Sequence, residues 1–443
     1  MKSTILFIGG GYTTLFAYKQ ICNSSSLVKK IKKGELELII ICDRKHHYFH
    51  GFTGDVIGGA MPEQAVYTPL KTIVPFAQLI QGRVTVVSPY LNTLKYTTKT
   101  GLSKELKYDH LVIGAGTVDN EKTAKDFAHS TFSIKKPKGL YIFRKQLDSL
   151  LLTYKDQQTL PDRKEKEHIV LSGAGFTSIE IATNMHDYMA EKYGDLVHIT
   201  IVNSGDQLLK EWQQQPRLIK YAEKMLDKKG IRVLHNCTIT ATTAEGVKLS
   251  DGSFLKTQLV VNATGQIPVV LQGLKHLCLN KENKIETTDY LNALGHNNIW
   301  CGGDIALVKK PFGKGKCPPN ALWAIMQGER IGKNIRRRLA GKVSAKFHFP
   351  GLGQAAAFGK GQGALELFGL PVWGWPAYLI RFGFFFYFFP AKLRLIKLCW
   401  KSYTESKGWT SLTGSSKNKN FAPEYRTLIG QHLTKEQTIL ETA

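Results

Sequence analysis

Two glycine-rich turns hold the residues of this chain whose types and spacing could bind phosphate. The first, Gly9-Gly10-Gly11, ends an apolar run at 4–8, and the second, Gly173-Ala174-Gly175, ends a similar run at 168–172. Each is followed by a stretch that can form a helix, so bare backbone N–H groups and a helix N-terminus would face a pyrophosphate. One such turn is a weak indication, because glycine turns are common. Two of them in one chain suggest that the protein binds two dinucleotides.

An acidic residue follows the next predicted strand. Residues 36–42 form an apolar run that ends at Asp43. A carboxylate at the end of the second strand can accept hydrogen bonds from the hydroxyl groups of an adenosine ribose. Asp43 could instead only cap a turn, but its distance from the first glycine turn favours the ribose.

Alternating strands and helices must position these groups. The first unit is predicted to contain strand 4–8, helix 12–23, strand 36–42 and strands at 84–87 and 106–113, the last running into Gly114-Ala115-Gly116. After a polar connection at 156–167, the second unit continues with strand 197–202, helix 216–229, strand 231–235, a hairpin at 239–255, a strand leading into Ala263-Thr264-Gly265 and a strand ending at Gly302-Gly303-Asp304. This alternation is typical of α/β proteins with parallel sheets.

The composition is that of a basic globular protein. The 443 residues include 60 Lys and Arg against 35 Asp and Glu, a net charge of +25, with 43% hydrophobic residues. This length allows two or three domains with sizeable cores. A basic excess can indicate nucleic acid, an anionic membrane surface, anionic ligands or simple solubility. Because no nucleic-acid motif accompanies the charge, nucleic-acid binding is the least favoured.

Cysteine spacing argues against a metal site. The seven cysteines are scattered, and none forms a Cys-x-x-Cys pair, so neither zinc nor a local redox disulfide is predicted. The set fits reduced thiols in a cytoplasmic protein. The apolar run before Gly9 is too short for a secretory signal, so we expect a strand there and no signal peptide.

The region near the C-terminus has a different composition. Residues 371–390 hold ten aromatic side chains, with Arg381 as their only charge. The segment is shorter than the roughly 20 apolar residues that a bilayer crossing needs. On a following helix one face would carry Leu393, Ile396, Trp400 and Tyr403, and the opposite face Arg394, Lys397 and Lys401. We expect an element lying in the membrane interface with its basic side on anionic headgroups, the alternative being a dimerisation or core helix pair.

In this order, the motifs resemble those of the flavoprotein oxidoreductases with two dinucleotide-binding domains. Within that superfamily the chain is most similar to the type II NADH:quinone dehydrogenases, over roughly residues 3–405. The matching segments are 43–50, 108–116, Pro318-Pro319-Asn320-Ala321 and 353–369 with the aromatic and basic helices after it.

The resemblance implies two Rossmann-like domains, the second inserted in the first, plus a C-terminal helical membrane-associating region. FAD would bind a discontinuous domain, 1–118 and 265–345, and the nicotinamide nucleotide, NADH or NADPH, a domain at 119–264. The C-terminal region would be 346–443, with its helices at about 371–403. The residues expected to bind the cofactors are Gly9, Gly10, Gly11, Tyr12, Thr13, Thr14, Asp43, Arg44, Gly114, Gly173, Gly175, Gly265, Gly303, Asp304 and Ala321.

The activity implied is electron transfer from NAD(P)H through the flavin to a quinone-like acceptor, without proton pumping. The family has a glutamate near the active site that matches Glu180, for which we predict a proton-handling role. The alternative is a glutamate favoured by the helix dipole alone. The protein would contact the cytoplasmic side of the membrane peripherally, and the resemblance leaves a homodimer open.

Five residues depart from the family pattern. The third glycine of each turn is replaced, by Thr14 and by Ser178, which is expected to loosen helix–strand packing. The acid of the second domain is replaced by Asn203, which no longer repels a 2′-phosphate and makes NADPH use plausible. Both glutamines of the family's quinone motif are replaced, by Leu322 and Met326, so the identity of the acceptor stays open.

Other functions were weighed against this one. A sulfide:quinone oxidoreductase would need cysteines beside the flavin, and only Cys317 is placed to serve. A disulfide reductase would need a redox pair beside the first glycine turn, which is absent. A flavoprotein with mainly a binding or signalling role would suit the altered glycines and Asn203. His46, His47 and His50 form a cluster, but their match to the flavoprotein segment explains them better than a metal does.

Overall fold

The computed structural model describes residues 2–119, 137–157, 167–194, 197–264, 266–269 and 271–406. Its α-helices are α1 Tyr12–Cys22, α2 Ser25–Lys32, α3 Thr53–Ile57, α4 Leu70–Ile73, α5 Pro137–Gln157, α6 Phe176–Tyr193, α7 Pro216–Lys228, α8 Ala321–Leu339, α9 Trp375–Phe388 and α10 Lys392–Ser406. Short 3₁₀ turns lie at His50–Phe52, Glu63–Val66, Lys210–Trp212, Leu274–His276 and Gly303–Ile305. Among these residues no helix is long and apolar enough to span a membrane.

The strands of the first half are β1 Ser3–Ile8, β2 Leu36–Cys42, β3 His46–Tyr48, β4 Tyr67–Pro69, β5 Gln78–Ser88, β6 Thr93–Thr98, β7 Ser103–Lys107, β8 His110–Ile113, β9 Thr117–Asp119, β10 Glu167–Ser172 and β11 Val197–Val202. Those of the second half are β12 Arg232–Leu234, β13 Ile239–Thr242, β14 Gly246–Leu249, β15 Phe254–Lys256, β16 Leu259–Asn262, β17 Gln266–Pro268, β18 Ile285–Glu286, β19 Ile299–Cys301, β20 Ala306–Leu307, β21 Ala355–Ala357, β22 Gly363–Leu367 and β23 Leu370–Gly374.

The larger sheet brings the first set of predicted site residues to one edge. Its strand order is β19-β8-β1-β2-β5-β6-β7, parallel from β19 to β5 and antiparallel beyond. In register, Ile8 of β1 pairs with Ile41 and Ile113, so the carboxyl ends of the central strands are level. Parallel sheets bind ligands at this edge. Gly9, Asp43 and Gly114 each follow one of these strands.

A second parallel sheet repeats the arrangement. Its order is β12-β11-β10-β16, and Ser172 at the end of β10 pairs with Val202 and Asn262. The second glycine turn therefore meets Asn203 and the loop after β16 at one edge. The predicted α/β class with two Rossmann-like units is confirmed. The domain boundaries stay a prediction.

Two predicted elements differ from the structure. The strand expected at 106–113 is two strands, because β7 pairs antiparallel with β6, whereas β8 joins the parallel core beside β1. The chain changes sheet partner between them, at Tyr108 and Asp109, where the Asp109 carboxylate accepts the Thr4 N–H at 2.6 Å. The hairpin expected at 239–255 is a three-stranded sheet of β13, β14 and β15.

Helix α1 lies on the first sheet with α8 packed along it. A Cβ added at Gly328 would lie 2.4 Å from the Thr13 carbonyl, and one at Gly332 would lie 2.4 Å from the Ala17 carbonyl. The two glycines thus let the helix backbones touch, running in the same direction. This contact holds both helix N-termini on the side of the sheet edge where the predicted site lies.

The C-terminal helices dock against the rest of the protein through one face. Ala377 and Arg381 of α9 are buried, as are Phe389 and Leu395. The opposite side exposes large apolar groups, which are Trp375, Leu379, Ile380, Tyr387, Leu393, Ile396 and Trp400. The expected face of α10 is therefore present, although the Tyr403 side chain lies outside the description.

The prediction that the basic side of α10 faces lipid headgroups was wrong for one residue. Arg394 does not face headgroups, because its guanidinium is half-buried and donates to the Gln64 and Tyr67 carbonyls at 3.1 and 2.6 Å. Lys397 and Lys401 remain on the exposed side.

Candidate functional site

The first glycine turn has the geometry of a phosphate cradle. Gly9 has a φ of +98°, and a Cβ there would lie 2.7 Å from the Gly114 carbonyl oxygen. Gly11 precedes α1 in an extended conformation, with no side-chain cap and no acidic residue in the first helical turn. The N–H groups of the first turn of α1 are therefore open to an anion. The turn fits the pyrophosphate of a dinucleotide.

The threonines after this turn are accommodated without loose packing. Thr14 is fully buried, and a Cβ at Gly114 would lie 2.8 Å from its hydroxyl oxygen. Because Gly114 has no side chain, the Thr14 hydroxyl group fits beside it. The expected loosening of the packing between α1 and the sheet therefore does not occur at Thr14. The neighbouring Thr13 hydroxyl donates to the Ala324 carbonyl of α8 at 3.3 Å.

Asp43 lies exposed at the end of β2, beside the glycine turn. Its carboxylate is 3.6 Å from Arg44 Nε, and both side chains are largely in solvent. Gln81 donates to the Asp43 carbonyl at 3.3 Å and fixes the backbone there. The ribose role of Asp43 stays a prediction.

A buried histidine supports the same turn. His47 Nδ1 lies 3.0 Å from the Gly10 carbonyl oxygen, and the ring packs edge-on against Tyr12. Burial lowers the pKa of His47 to about 4, so the ring is neutral and Nδ1–H donates. The Tyr12 hydroxyl in turn accepts the His50 N–H at 3.1 Å. The described residues contain no cluster able to hold a metal, and of the three histidines His47 is the one whose side chain bonds to the turn among those residues.

Asp304 reaches the same edge on a 3₁₀ turn. Gly303, with a φ of +73°, donates its N–H to the buried Gln327 side chain at 2.7 Å. Asn320 caps α8 by accepting the Trp323 N–H at 3.1 Å, so Ala321 begins that helix beside the Asp304 turn. The two segments line a common small cavity. Gln327 was missed by sequence reasoning, since nothing local marks its role.

The second glycine turn has the same form. Gly173 has a φ of +99°, with an added Cβ 3.2 Å from the Ala263 carbonyl oxygen. Gly175 precedes α6 in an extended conformation without a side-chain cap or an acid in the first turn. Ser178 is buried, and its hydroxyl has no partner among the described residues. Gly265 lies outside the described residues.

The amide of Asn203 is used inside the protein. It donates to the carbonyls of Gly205 and Gln207 at 3.0 and 3.1 Å and lies 3.1 Å from His235 Nδ1. Its oxygen accepts the Gly205 N–H at 3.2 Å. Asn203 therefore shapes the loop after β11 and presents no negative charge there.

Glu180 belongs to a buried ionic network that joins three helices. Arg381 of α9 donates to Asp55 of α3 and to Glu180 of α6, each at 3.0 Å. Glu180 Oε1 also accepts the Ala357 N–H at 2.8 Å, and the Tyr378 hydroxyl donates to Asp55 at 3.1 Å. The Arg381 side chain is fully buried and Asp55 is 1% exposed. We call this group the Arg381 network.

Burial decides the electrostatics of this network. It raises the pKa of Glu180, and the charge of Asp55 adds to the rise, while Arg381 and the Ala357 N–H oppose it. The pKa of Arg381 stays above its usual range because of both carboxylates, so the arginine remains charged. In the sequence, Arg381 is the only charged residue of the aromatic segment 371–390, which was a signal for this site. Its partners Asp55 and Glu180 could not be recognised from the sequence.

The two residues that replace the glutamines of the family's quinone motif pack against the core. Leu322 is 8% exposed within the core of the first domain, and Met326 is half-buried against the same core. Neither position offers a polar group.

Cys317 lies just before this segment, and its pKa is raised. Burial raises the pKa of Cys317 to about 11, and its Sγ lies 3.5 Å from the Lys309 carbonyl oxygen. All seven cysteines are free. A thiol of this kind is a poor sulfur carrier, because the thiolate is the nucleophile.

Comparison with known proteins decides the family. The profile of the pyridine nucleotide-disulphide oxidoreductases matches residues 4–328. The chain belongs to that family. It is 24% identical over 397 residues to the type II NADH:quinone oxidoreductase of Staphylococcus saprophyticus, covering 84% of this chain and 92% of the relative. The same enzyme of Staphylococcus aureus is 24% identical over 400 residues with the same coverage.

Solved structures share the fold. The NDH2 of Plasmodium falciparum in complex with NADH aligns with a TM-score of 0.77 at 15% identity, covering 93% of this chain and 100% of that one. The sulfide:quinone oxidoreductase of Aquifex aeolicus aligns with a TM-score of 0.67 at 15% identity, covering 87% and 90%. The predicted resemblance to type II NADH:quinone dehydrogenases and the two-domain oxidoreductase architecture are confirmed.

Proposed function

We propose that this protein is an FAD-dependent NADH:quinone oxidoreductase that works at a membrane surface. The observation that carries the proposal is the repeated geometry of two glycine turns, each opening a helix at the carboxyl edge of its own parallel sheet. The relatives named type II NADH:quinone oxidoreductase support the donor and the acceptor. The sulfide-oxidising alternative is not favoured, because Cys317 is held as a thiol.

The first domain, at 1–118 and 265–345, would hold FAD. Gly9 and Gly11 would approach the pyrophosphate, Asp43 the adenosine ribose, and Asp304 the ribityl or phosphate region. Gly10, Tyr12, Thr13, Thr14, Arg44, Gly114, Gly303 and Ala321 complete the surroundings of that site. When bound, the flavin supplies an acceptor for the hydride of reduced nicotinamide and a donor of two electrons to a quinone.

The second domain, at 119–264, would hold NADH through Gly173 and Gly175. Its helix α6 starts at this turn and carries Glu180 one turn further on. The carboxyl group thus lies where the two domains and α9 meet. We propose that Glu180 handles a proton for quinone reduction, which consumes protons, and that Arg381 positions it.

The exposed apolar face of α9 and α10 would sit in the membrane interface. Aromatic and aliphatic side chains at 375–400 and the exposed Lys397 and Lys401 are the composition of interfacial helices. A quinone dissolved in lipid would reach the protein from that side, which we take to be the cytoplasmic side of the membrane.

Anaerobic mixing tests the proposal. The purified protein should be yellow, NADH should bleach the flavin absorbance within seconds, and a short-chain quinone should restore it. NADPH and sulfide serve as alternative donors in the same experiment. Failure of NADH to bleach the flavin would overturn the dehydrogenase assignment, and bleaching by sulfide alone would favour the rival enzyme.

A further inference from the structure

A basic cleft of about 630 Å³ lies between α2 and the C-terminal half of α8. Of the described residues, six cations and no acidic residue line it, and these cations are Lys30, Arg330, Lys333, Arg336, Arg337 and Lys342. The cleft is at the C-terminal ends of α1 and α8, whereas the first glycine turn is at their N-terminal ends. An 11-residue helix such as α1 spans about 16 Å. The basic cleft is therefore separate from the dinucleotide sites.

The cations of the basic cleft are held close together largely without carboxylates. Arg336 donates to the Gln20 carbonyl at 3.3 Å, and Arg337 donates to the Val343 carbonyl at 2.6 Å. Burial and the charge of Arg337 both lower the pKa of Arg330. Within the described part of the chain, Lys333 is the one lining residue with an acidic partner, Glu329 one helical turn earlier at 3.6 Å.

Helix dipoles explain only part of this clustering. Cations in the last turn of α8 or of α2 stabilise the negative helix end. Arg330 lies in the middle of α8, however, and Lys30 comes from a different helix. Because both residues line the basic cleft, like charges face each other there. An anionic ligand would reduce the repulsion between these charges.

The start of α2 adds neutral donors to the same cleft. Ser24 precedes the helix without a side-chain cap, and its hydroxyl lies 2.9 Å from that of Ser26. The first turn of α2 contains no acidic residue. Hydroxyl groups, open N–H groups and cations together are the donor set that phosphate oxygens accept from.

We propose that the basic cleft binds a phosphate-bearing polyanion. Its size is that of a small-molecule site. The ligand is either the headgroup of an anionic phospholipid or a free oligophosphate. The lipid source has a structural argument, because α1 links the cleft to the C-terminal helices: Arg336 of the cleft donates to the Gln20 carbonyl of α1, and Phe16 of the same helix packs on Phe388 of α9.

The test uses the full-length FAD-loaded protein and two probes. Tripolyphosphate binding is followed by titration calorimetry, and vesicle binding is followed by co-sedimentation with phosphatidylcholine alone or with added phosphatidylglycerol. The variant is Arg330→Gln/Lys333→Gln, chosen because neither side chain bonds to the backbone. The control is Lys224→Gln/Lys228→Gln on the exposed face of α7, which removes the same charge elsewhere.

The cleft variant should bind a probe about tenfold more weakly, since each half-exposed cation–phosphate contact contributes less than a factor of ten. Loss of tripolyphosphate binding alone identifies a soluble ligand. Loss of phosphatidylglycerol-dependent vesicle binding identifies the lipid headgroup. Both outcomes support the site, provided that the control variant behaves as wild type.

If the variant and the control bind both probes equally, or if wild-type protein binds neither, the proposal is wrong. NADH oxidation with a water-soluble quinone should be unchanged in the cleft variant. That activity therefore reports on the proposed function independently of the basic cleft.

Discussion

Replacing Arg381 tests whether the C-terminal helix α9 controls Glu180. The Arg381→Met variant removes the one cation that compensates both Asp55 and Glu180. Coulomb's law at an effective dielectric constant of about 20 gives about 5.5 kcal/mol for unit charges 3.0 Å apart. Glu180 retains 20% side-chain exposure, which screens the interaction. We therefore expect only part of that energy to be lost in Arg381→Met, and the pKa of Glu180 to rise further above its usual range.

The assay is the pH profile of kcat for quinone reduction. Removing a cation destabilises the carboxylate, so the limb that depends on Glu180 should move to higher pH in Arg381→Met. Glu180→Gln should abolish that limb, and adding Arg381→Met to Glu180→Gln should not move what remains. Breaking a buried ion pair also costs about 3–5 kcal/mol of stability, measured by denaturant unfolding.

Arg381→Lys covers the case in which Arg381→Met does not fold. It keeps the charge but loses the planar fork that reaches two carboxylates, so a smaller shift in the same direction is expected. The reasoning is refuted if the limb stays in place in Arg381→Met or Arg381→Lys, or if it shifts equally when Glu180 is already glutamine.

Three further predictions concern other parts of the protein. Gly9→Ala should abolish flavin retention, because the added Cβ would lie 2.7 Å from a carbonyl oxygen at a φ of +98°; full flavin content after gel filtration would contradict this. His47 is held neutral, with its pKa lowered to about 4, so its contribution is present above pH 6.5 and is lost as the pH falls towards 4. The wild type should therefore lose up to about 3 kcal/mol of unfolding free energy over that range, and His47→Gln distinctly less; parallel profiles would refute this. Leu393→Ser/Trp400→Ser should weaken vesicle binding without altering activity on a water-soluble quinone, since both side chains are over two-thirds exposed; undiminished binding would exclude this anchor.

The glycine turns illustrate what is predictable from sequence. A short apolar run, a glycine with positive φ and a helix start depend on neighbouring residues, so the sequence places both turns, and Asp43 after β2, where the structure has them. Their binding roles stay a prediction. The compensation of Thr14 was not predictable. It depends on Gly114, which lies a hundred residues away and reaches Thr14 only because β8 pairs with β1.

The C-terminal helices show the same limit. Periodicity separated the face of Leu393 from that of Arg394 but could not say which one docks on the protein. The structure turns Arg394 inward, where the Gln64 and Tyr67 carbonyls accept its hydrogen bonds. The local sequence does not distinguish an arginine that donates hydrogen bonds to buried carbonyl groups from one that faces a lipid headgroup.

By itself, the sequence determined the α/β class, the positions of the two glycine turns and the separation of an apolar from a basic face on α10, because local periodicity and turn chemistry encode them. Only the tertiary structure decided the Arg381 network and the basic cleft. Their members come from helices that are distant along the chain and meet through long-range packing. Asp55, Glu180 and Arg381 are ordinary residues until α3, α6 and α9 exclude water from around them, and burial then makes their charges interact strongly.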